Sequence, residues 1–325
     1  MDTGSHLLFG ATLAGLAHWI PSVQSDPSLS GAILCVALIG SHAPDFDVVF
    51  RFGGSDAYFR QHRRWSHSLP ALALWALAIG PLTALAFGCW TQVWLLTAWT
   101  LLAVVLHVAF DLTNAYGVQC LLPFKRGWLH LDALCLTEPF LLIVHAGALI
   151  GWLAAGGSRA ALLCGFAWGT TVMYALWRIG YHGLAVRRIK RRFRSWIAVH
   201  VLPDIRWFRW HYVVQTNKDF HMGQMDGRRL LPAATLPQEP VETAHACVGA
   251  SRRVPHVQAL LRFAKRAYFK WQAQPDGGYL VVWTDLRFWR ERDWPFRAEV
   301  RLDGQLNVIE QKLGWHKKAW EPPYV

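Results

Sequence analysis

Six apolar stretches dominate the first half of the chain, at residues 5–20, 29–44, 67–89, 92–115, 137–155 and 160–183. Each is bounded by short polar segments. A helix needs about 20 apolar residues to cross a bilayer. The third, fourth and sixth stretches meet that length and the fifth nearly does. The first two are short and rich in Gly and Ala, which leaves three arrangements for them: tilted, packed inside the bundle, or re-entrant. The pattern predicts about six spans, a mainly α, polytopic membrane bundle over residues 1–185. From Trp196 onward the texture changes. The segment WFRWHYVVQTNKDFHMGQMD alternates and is rich in aromatic and β-branched residues, as strands are. YLVVWTDLRF and RAEVRLDGQLNVIEQKL also read as strands, the second turning at Asp303–Gly304. Between them Val257, Leu260, Leu261, Ala264, Ala267, Tyr268 and Trp271 recur at helical spacing, and Pro255 suits a first turn. We therefore expect a helix over 255–271 and a small α+β cytoplasmic domain over 196–325, joined by a basic juxtamembrane linker at 186–195.

Composition supports this division. The 325 residues are 53% hydrophobic with 19 Trp, yet the formal net charge is +12. Apolar runs and basic residues are segregated, which favours membrane spans with cationic loops over a nucleic-acid surface. The loop at 45–66 carries Arg51, Arg60, Arg63 and Arg64, the loop at 116–136 carries Lys125 and Arg126, and residues 186–194 read VRRIKRRFR. The alternate loops hold only Arg159. The positive-inside bias then places both termini and the 45–66 loop in the cytoplasm. The run at 186–194 reads as an anchor to anionic head groups rather than a nucleic-acid patch. Cys35, Cys89, Cys120, Cys135, Cys164 and Cys247 form no CxxC pair, and most lie in apolar segments, as small buried hydrophobes do. A basic n-region is missing from MDTGSH, so the first helix is expected to stay in the mature protein.

The polar residues that interrupt this pattern carry the chemistry. Between Ser41 and Ser68 lie His42, Asp45, Asp47, Asp56, His62 and His67. His6 opens the first helix, and His107 and Asp111 lie one turn apart near the end of the fourth. His130, Asp132 and Glu138 precede the fifth. With alternating spans, all of them reach one membrane face. A carboxylate inside a span costs about 2.5–3.5 kcal/mol even on lenient scales, so Asp111 needs a partner. A divalent cation supplies one and keeps imidazoles neutral and coordinating. The competing reading is a salt-bridge network with the arginines. His18, His145 and His182 read as interfacial or hydrogen-bonded, and Asp56, in GGSDAY, as a turn residue.

The set His6, Pro44-Asp45-x-Asp47, His62-Arg63-x-x-Ser66-His67-Ser68 and His107-x-x-x-Asp111 resembles the YdjM-type family of inner-membrane metal-dependent hydrolases over about the first 150 residues. The tail, with RWFRWHYVV, also resembles one that some members carry. The resemblance implies a distant likeness to zinc-dependent phospholipases C and single-strand zinc nucleases, in which histidines and aspartates on packed helices hold zinc. It implies metal ligation by His6, Asp45, His67, His107 and Asp111. His62 fits the motif either as a ligand or as a residue behind one. Glu138-Pro139 stands where members often have Asp-Pro, and it enters as a further ligand.

The expected function is metal-assisted hydrolysis of a phosphoester or lipid-linked substrate at the cytoplasmic face, with zinc as the metal. Asp47 would orient or deprotonate the water, with Asp45 as the other candidate, and Arg63 and Arg64 would steady a phosphate. A second reading is a non-catalytic adaptor, stapled by metal, whose tail recruits a cytoplasmic protein. A third, a proton or metal transporter, needs polar residues continuing to the far face. The outer halves of the spans offer few. Membrane lipids are the expected partners, and nucleic acid is not.

Overall fold

The computed structural model describes residues 1–54, 57–58, 61–290 and 293–317, at Arg51 and Ser158 by their backbone alone. Asp56 and Arg60 lie outside the described residues. The chain forms two compact units, residues 1–48 with 62–181 and residues 49–61 with 182–325.

Helices of the first unit begin where the sequence supplies caps and first-turn prolines. The Asp2 carboxylate accepts from Ser5 N at 3.0 Å and starts α1 (Thr3–Leu16). After a short α2 (Pro21–Ser25), the Asp26 side chain caps α3 (Pro27–Gly40) with Pro27 in its first turn. Prolines likewise open α4 (Leu69–Ala86) and α6 (Pro139–Ala155). α5 runs Val93–Thr113, and α7, Ala160–Arg192, leaves this unit at its C-terminal end. Two glycines set the packing. A Cβ on Gly10 would lie 2.8 Å from Ala37 O, so α1 and α3 touch backbone to backbone. One on Gly80 would lie 2.6 Å from Thr97 Cα, and α4 and α5 are correspondingly close. The buried faces meet in cores such as Phe9, Leu13, Ala103, Phe110, Leu141 and Trp168. The outer faces keep large apolar residues such as Leu77, Leu85, Trp94 and Ile143 exposed, as hydrocarbon-facing helices do.

Six spans are not supported. Among the described residues three helices are long and apolar enough to cross a membrane: Leu69–Ala86, Trp90–Thr113 and Ala160–Arg192. A fourth is added if Pro27–Gly40 and Ala43–Phe50, bent by 43° between them, count as one. The reason is length. The 14 residues of α1 rise only about 21 Å against a hydrocarbon core of about 30 Å. α6, with 17 residues, also falls short.

The second unit holds two four-stranded antiparallel meanders. The first comprises β1 (Ala198–Pro203), β2 (Arg209–Gln215), β3 (Asp219–Asp226) and β4 (Arg229–Pro237). Its β3–β4 turn rests on Gly227, whose φ of 55° a side chain disfavours. The second comprises β5 (Ala267–Ala273), β6 (Tyr279–Asp285), β7 (Phe296–Leu302) and β8 (Val308–Trp315). Here α8 (Ala246–Arg252) and α9 (Pro255–Phe263) pack against the sheet. The hairpin at Asp303–Gly304 forms as expected, the Asp303 carboxylate accepting from Gln305 N and Asn307 N. The helix expected over 255–271 stops at Phe263. Residues 267–273 are instead a strand that pairs with β6, because burying Phe269 against Trp283 wins over continued helical periodicity.

Candidate metal centre

Four elements of the first unit bring their polar residues to one end. One turn into α1, His6 is buried, and beyond the bend after Gly40 the backbone turns Asp45 and Asp47 inward while Phe46 and Val48 stay exposed. A short turn, Trp65–His67, buries His67 and exposes Trp65. Near the end of α5, His107 and Asp111 share one face.

One oxygen or nitrogen from each of Asp45, His67, His107 and Asp111 lies within 4.8 Å of the others. His67 Nε2 stands 3.5 Å from Asp45 Oδ1 and 3.4 Å from Asp111 Oδ2. His107 Nε2 stands 3.6 and 3.7 Å from the same two oxygens. All four atoms are buried, and among the described residues none has a hydrogen-bond partner. Four orphaned buried polar atoms at one point would be costly without a shared partner. A tetrahedron of metal–ligand bonds of about 2.0–2.1 Å has edges of about 3.3–3.4 Å, close to these separations. The donors fit a cation.

Both imidazoles are fixed from behind. His107 Nδ1 lies 2.6 Å from Ser41 O, which can only accept, so Nδ1 carries the proton and Nε2 keeps its lone pair. Ser66 Oγ donates to Asp47 Oδ2 at 2.9 Å and accepts from His67 Nδ1 at 2.9 Å, which sets the same tautomer. His6 stands beside this set rather than in it. Its ring stacks on His107 at 3.8 Å, with Nε2 3.5 Å from Asp111 Oδ1. The Met1 amino group pairs with that same oxygen and lies 3.0 Å from His6 Nε2.

Asp45, Asp47 and His62 form a second group of possible donors, more exposed than the first. Asp47 accepts from His62 Nδ1 at 2.8 Å, Arg63 N at 3.0 Å and Ser66 Oγ. Arg63 is buried in a left-handed conformation at φ 60°. Its guanidinium lies 2.9 Å from both Asp111 Oδ1 and Asn114 Oδ1, and its carbonyl accepts from Gln119 N. Contacts at both ends hold a backbone that is otherwise disfavoured. The neighbouring Arg64 is half-buried and donates from Nε to Gln119 Oε1 at 2.8 Å.

Glu138 is not brought to the cluster. Its oxygens accept from Cys135 N at 2.8 Å and Tyr174 OH at 2.9 Å, which makes it a brace between the α6 N-terminus and α7. His130 pairs with Asp132 instead, at 2.8 Å. The histidines read as hydrogen-bonded are so: His145 lies between Thr12 Oγ1 and Thr171 Oγ1, His18 meets Ser30 Oγ, and His182 meets Val201 O. Sequence reasoning missed the supporting groups: Ser66, Asn114 and the Ser41 carbonyl. Ser66, inside the motif, carried a signal; a backbone carbonyl carries none.

A family model described as YdjM inner membrane protein matches residues 1–184. A second, described as YfhP C-terminal alpha/beta plait domain, matches residues 246–320. The chain is 31% identical, over 326 aligned positions, to a Bacillus subtilis (strain 168) protein described as uncharacterized protein YfhP. That alignment covers 97% of this chain and 95% of the other. No solved structure matches.

Proposed function

Because the chain belongs to the YdjM inner membrane protein family, we propose that it is a multi-pass membrane hydrolase that depends on a divalent metal. The observation that carries this reading is the convergence of four buried ligand atoms, on Asp45, His67, His107 and Asp111, that have no hydrogen-bond partner among the described residues. Two imidazoles with two carboxylates suit zinc, whereas calcium and magnesium take oxygen donors. When bound, such a metal lowers the pKa of water toward neutrality and polarises a phosphoryl oxygen.

The chain's own residues hold and move the proton. Asp47 receives His62 Nδ1–H, which leaves Nε2 as the atom that takes a proton from the attacking water. Ser41 and Ser66 keep His107 and His67 from turning. We assign Arg63 to holding Asp111, since its guanidinium is already engaged there, and the anionic substrate oxygen to Arg64, the more exposed of the two. Exposed Phe46 and Trp65, next to the inward-facing Asp45, Asp47 and His67, favour an amphiphilic phosphoester drawn from the membrane. The Arg/Lys-rich loops at this end favour the cytoplasmic side, with both termini there.

Full-length protein in detergent tests the reading by metal analysis and by turnover of bis-p-nitrophenyl phosphate and a short-chain phospholipid. We expect a stoichiometric divalent metal and turnover that a His62→Ala variant loses while keeping its metal. Protein purified without stoichiometric divalent metal, and unable to take it up, would sink the mechanism.

The closure of the four-donor set favours a second reading. Asp111 and His67 are fully buried, and closed four-ligand sites are structural more often than catalytic. Under it the metal staples the bundle and the tail recruits a cytoplasmic protein. Asp45→Ala and His67→Ala would then lower thermal stability, and wild type would turn over no substrate.

A further inference from the structure

α7 is 33 residues long and rises about 50 Å, more than a bilayer's hydrocarbon core requires. One face is spoken for along its length. Thr171, Tyr174 and Arg178 are buried in the first unit. Further on, Ala185 and Ile189 are buried in the second unit, where the following Phe193 ring meets Tyr212.

The opposite face has a different history along the same helix. Leu162, Phe166, Met173, Leu176 and Leu184 follow one another at the helical intervals of four, seven, three and eight, all between 60% and 74% exposed. Continuing that stripe by one turn reaches Arg187 and Arg188, and then Arg191 and Arg192, all exposed. From Leu162 to Leu184 the helix rises about 33 Å, enough to cross a hydrocarbon core of about 30 Å. An apolar stripe of that length, left bare, is satisfied by acyl chains. It gives way to arginine within one turn, where the phosphate layer of such a bilayer lies. Among the described residues no carboxylate pairs with Arg187, Arg188, Arg191 or Arg192. Guanidinium groups match phosphate oxygens in a bidentate fork that ammonium groups cannot copy.

We propose that the arginine face of α7 binds the phosphates of anionic lipids at the membrane edge, and so selects the lipid composition around the protein. Leu184 argues against a nucleic-acid partner on this face, because it places an exposed apolar side chain in line with the arginines. A lipid has an apolar part to match it. A nucleic-acid backbone does not.

The test uses full-length protein in mixed micelles holding equal amounts of phosphatidylglycerol and phosphatidylcholine, with retained lipids counted by native mass spectrometry. Wild type is expected to retain phosphatidylglycerol in preference. Arg188→Gln should reduce that preference about fivefold, the effect of one basic residue at an anionic surface, and the quadruple Arg187→Gln, Arg188→Gln, Arg191→Gln, Arg192→Gln variant at least tenfold. The single variant serves if the quadruple one loses helix content by circular dichroism. Equal retention of the two lipids by wild type overturns the proposal. So does an unchanged preference in folded variants, or duplex DNA that displaces the lipid from wild type and fails to bind the quadruple variant.

Discussion

Asp111 is the residue whose replacement separates the architecture of the site from its ligand chemistry. Its Oδ1 accepts from the Arg63 guanidinium at 2.9 Å and pairs with the Met1 amino group, while Oδ2 faces His67 Nε2 and His107 Nε2 without a hydrogen bond. Asp111→Asn keeps the shape. The amide oxygen can take the Oδ1 position against Arg63, and the amide NH2 then points at two imidazole lone pairs, which accept it. The variant loses the charge but keeps an acceptor for Arg63, so without metal it should fold with a smaller loss of stability than Asp111→Ala, and its ligand position is filled by a donor that excludes a cation. Asp111→Ala leaves Arg63, 5% exposed, with neither the charge nor the acceptor at that position, and breaking a buried pair in this way costs about 3–5 kcal/mol. Zinc at a hundred times its Kd should stabilise wild type by about 2.7 kcal/mol and leave Asp111→Asn unmoved. The assay is unfolding of full-length protein in detergent, with and without zinc, together with zinc titration against a competing chelator. Wild-type zinc affinity in Asp111→Asn would refute the ligand assignment. Equal metal-free stability of the Ala and Asn variants would refute the Arg63 argument.

Three further outcomes follow from other contacts. Ser66→Ala removes the hydroxyl between His67 Nδ1 and Asp47 and should weaken zinc binding about 10–100-fold with the fold retained, as chelator competition would read. Glu138→Ala removes the carboxylate that accepts from Cys135 N and Tyr174 OH and should cost about 1–3 kcal/mol by detergent unfolding without altering metal content. In the second unit, burial pushes the Asp285 carboxyl up, but the Arg287 guanidinium and the amides of Arg287 and Lys265 outweigh it and hold the group below its ordinary value. A depressed pKa contributes stability that is complete above the unfolded value, about 3.9, and lost as pH falls through the folded one. The stability gap between wild type and Asp285→Asn should therefore be constant from pH 7 to about pH 5 and shrink only below about pH 4. A gap that closes between pH 7 and 5, in chemical unfolding followed by tryptophan fluorescence, would contradict this.

Much of the helical layout was legible because apolar runs and first-turn prolines mark where helices start. Their lengths were less so. The run at 29–44 does not announce that the backbone bends after Gly40, since an apolar run reads the same whether straight or broken. The strand at 267–273 was hidden for a related reason. Ala264, Ala267, Tyr268 and Trp271 satisfy a helical period, and only the partner strand, with Val281 and Trp283 buried on it, decides otherwise. In the site, residue types were legible from the cost of charges in an apolar setting. Which ones share a point was not, because His6 and His107 stack as rings and Glu138 finds hydrogen-bond partners through contacts that spacing does not encode.

The low-dielectric interior of the bundle also explains why the cation reading rests on the cluster and not on any single orphaned atom. Buried polar groups elsewhere in the first unit have found partners: Thr12, His145 and Thr171 bond across three helices, and Glu138 meets Tyr174 and a backbone amide. Other exceptions there include the indole nitrogens of Trp99 and Trp168, His42 Nδ1, and Asn114 Nδ2 and Arg63 Nε, the last two on side chains that bond to each other through other atoms. At Asp45, His67, His107 and Asp111 four such exceptions face one another, and two belong to carboxylates. Protonating His67 could satisfy its own contacts, but the tautomer set by Ser66 and Ser41 then leaves His107 Nε2 facing two acceptors with no proton to give. A second proton would put two imidazoliums 5.3 Å apart by ring centroid in a dry site. One divalent cation serves all four atoms at once, with no proton added to either ring.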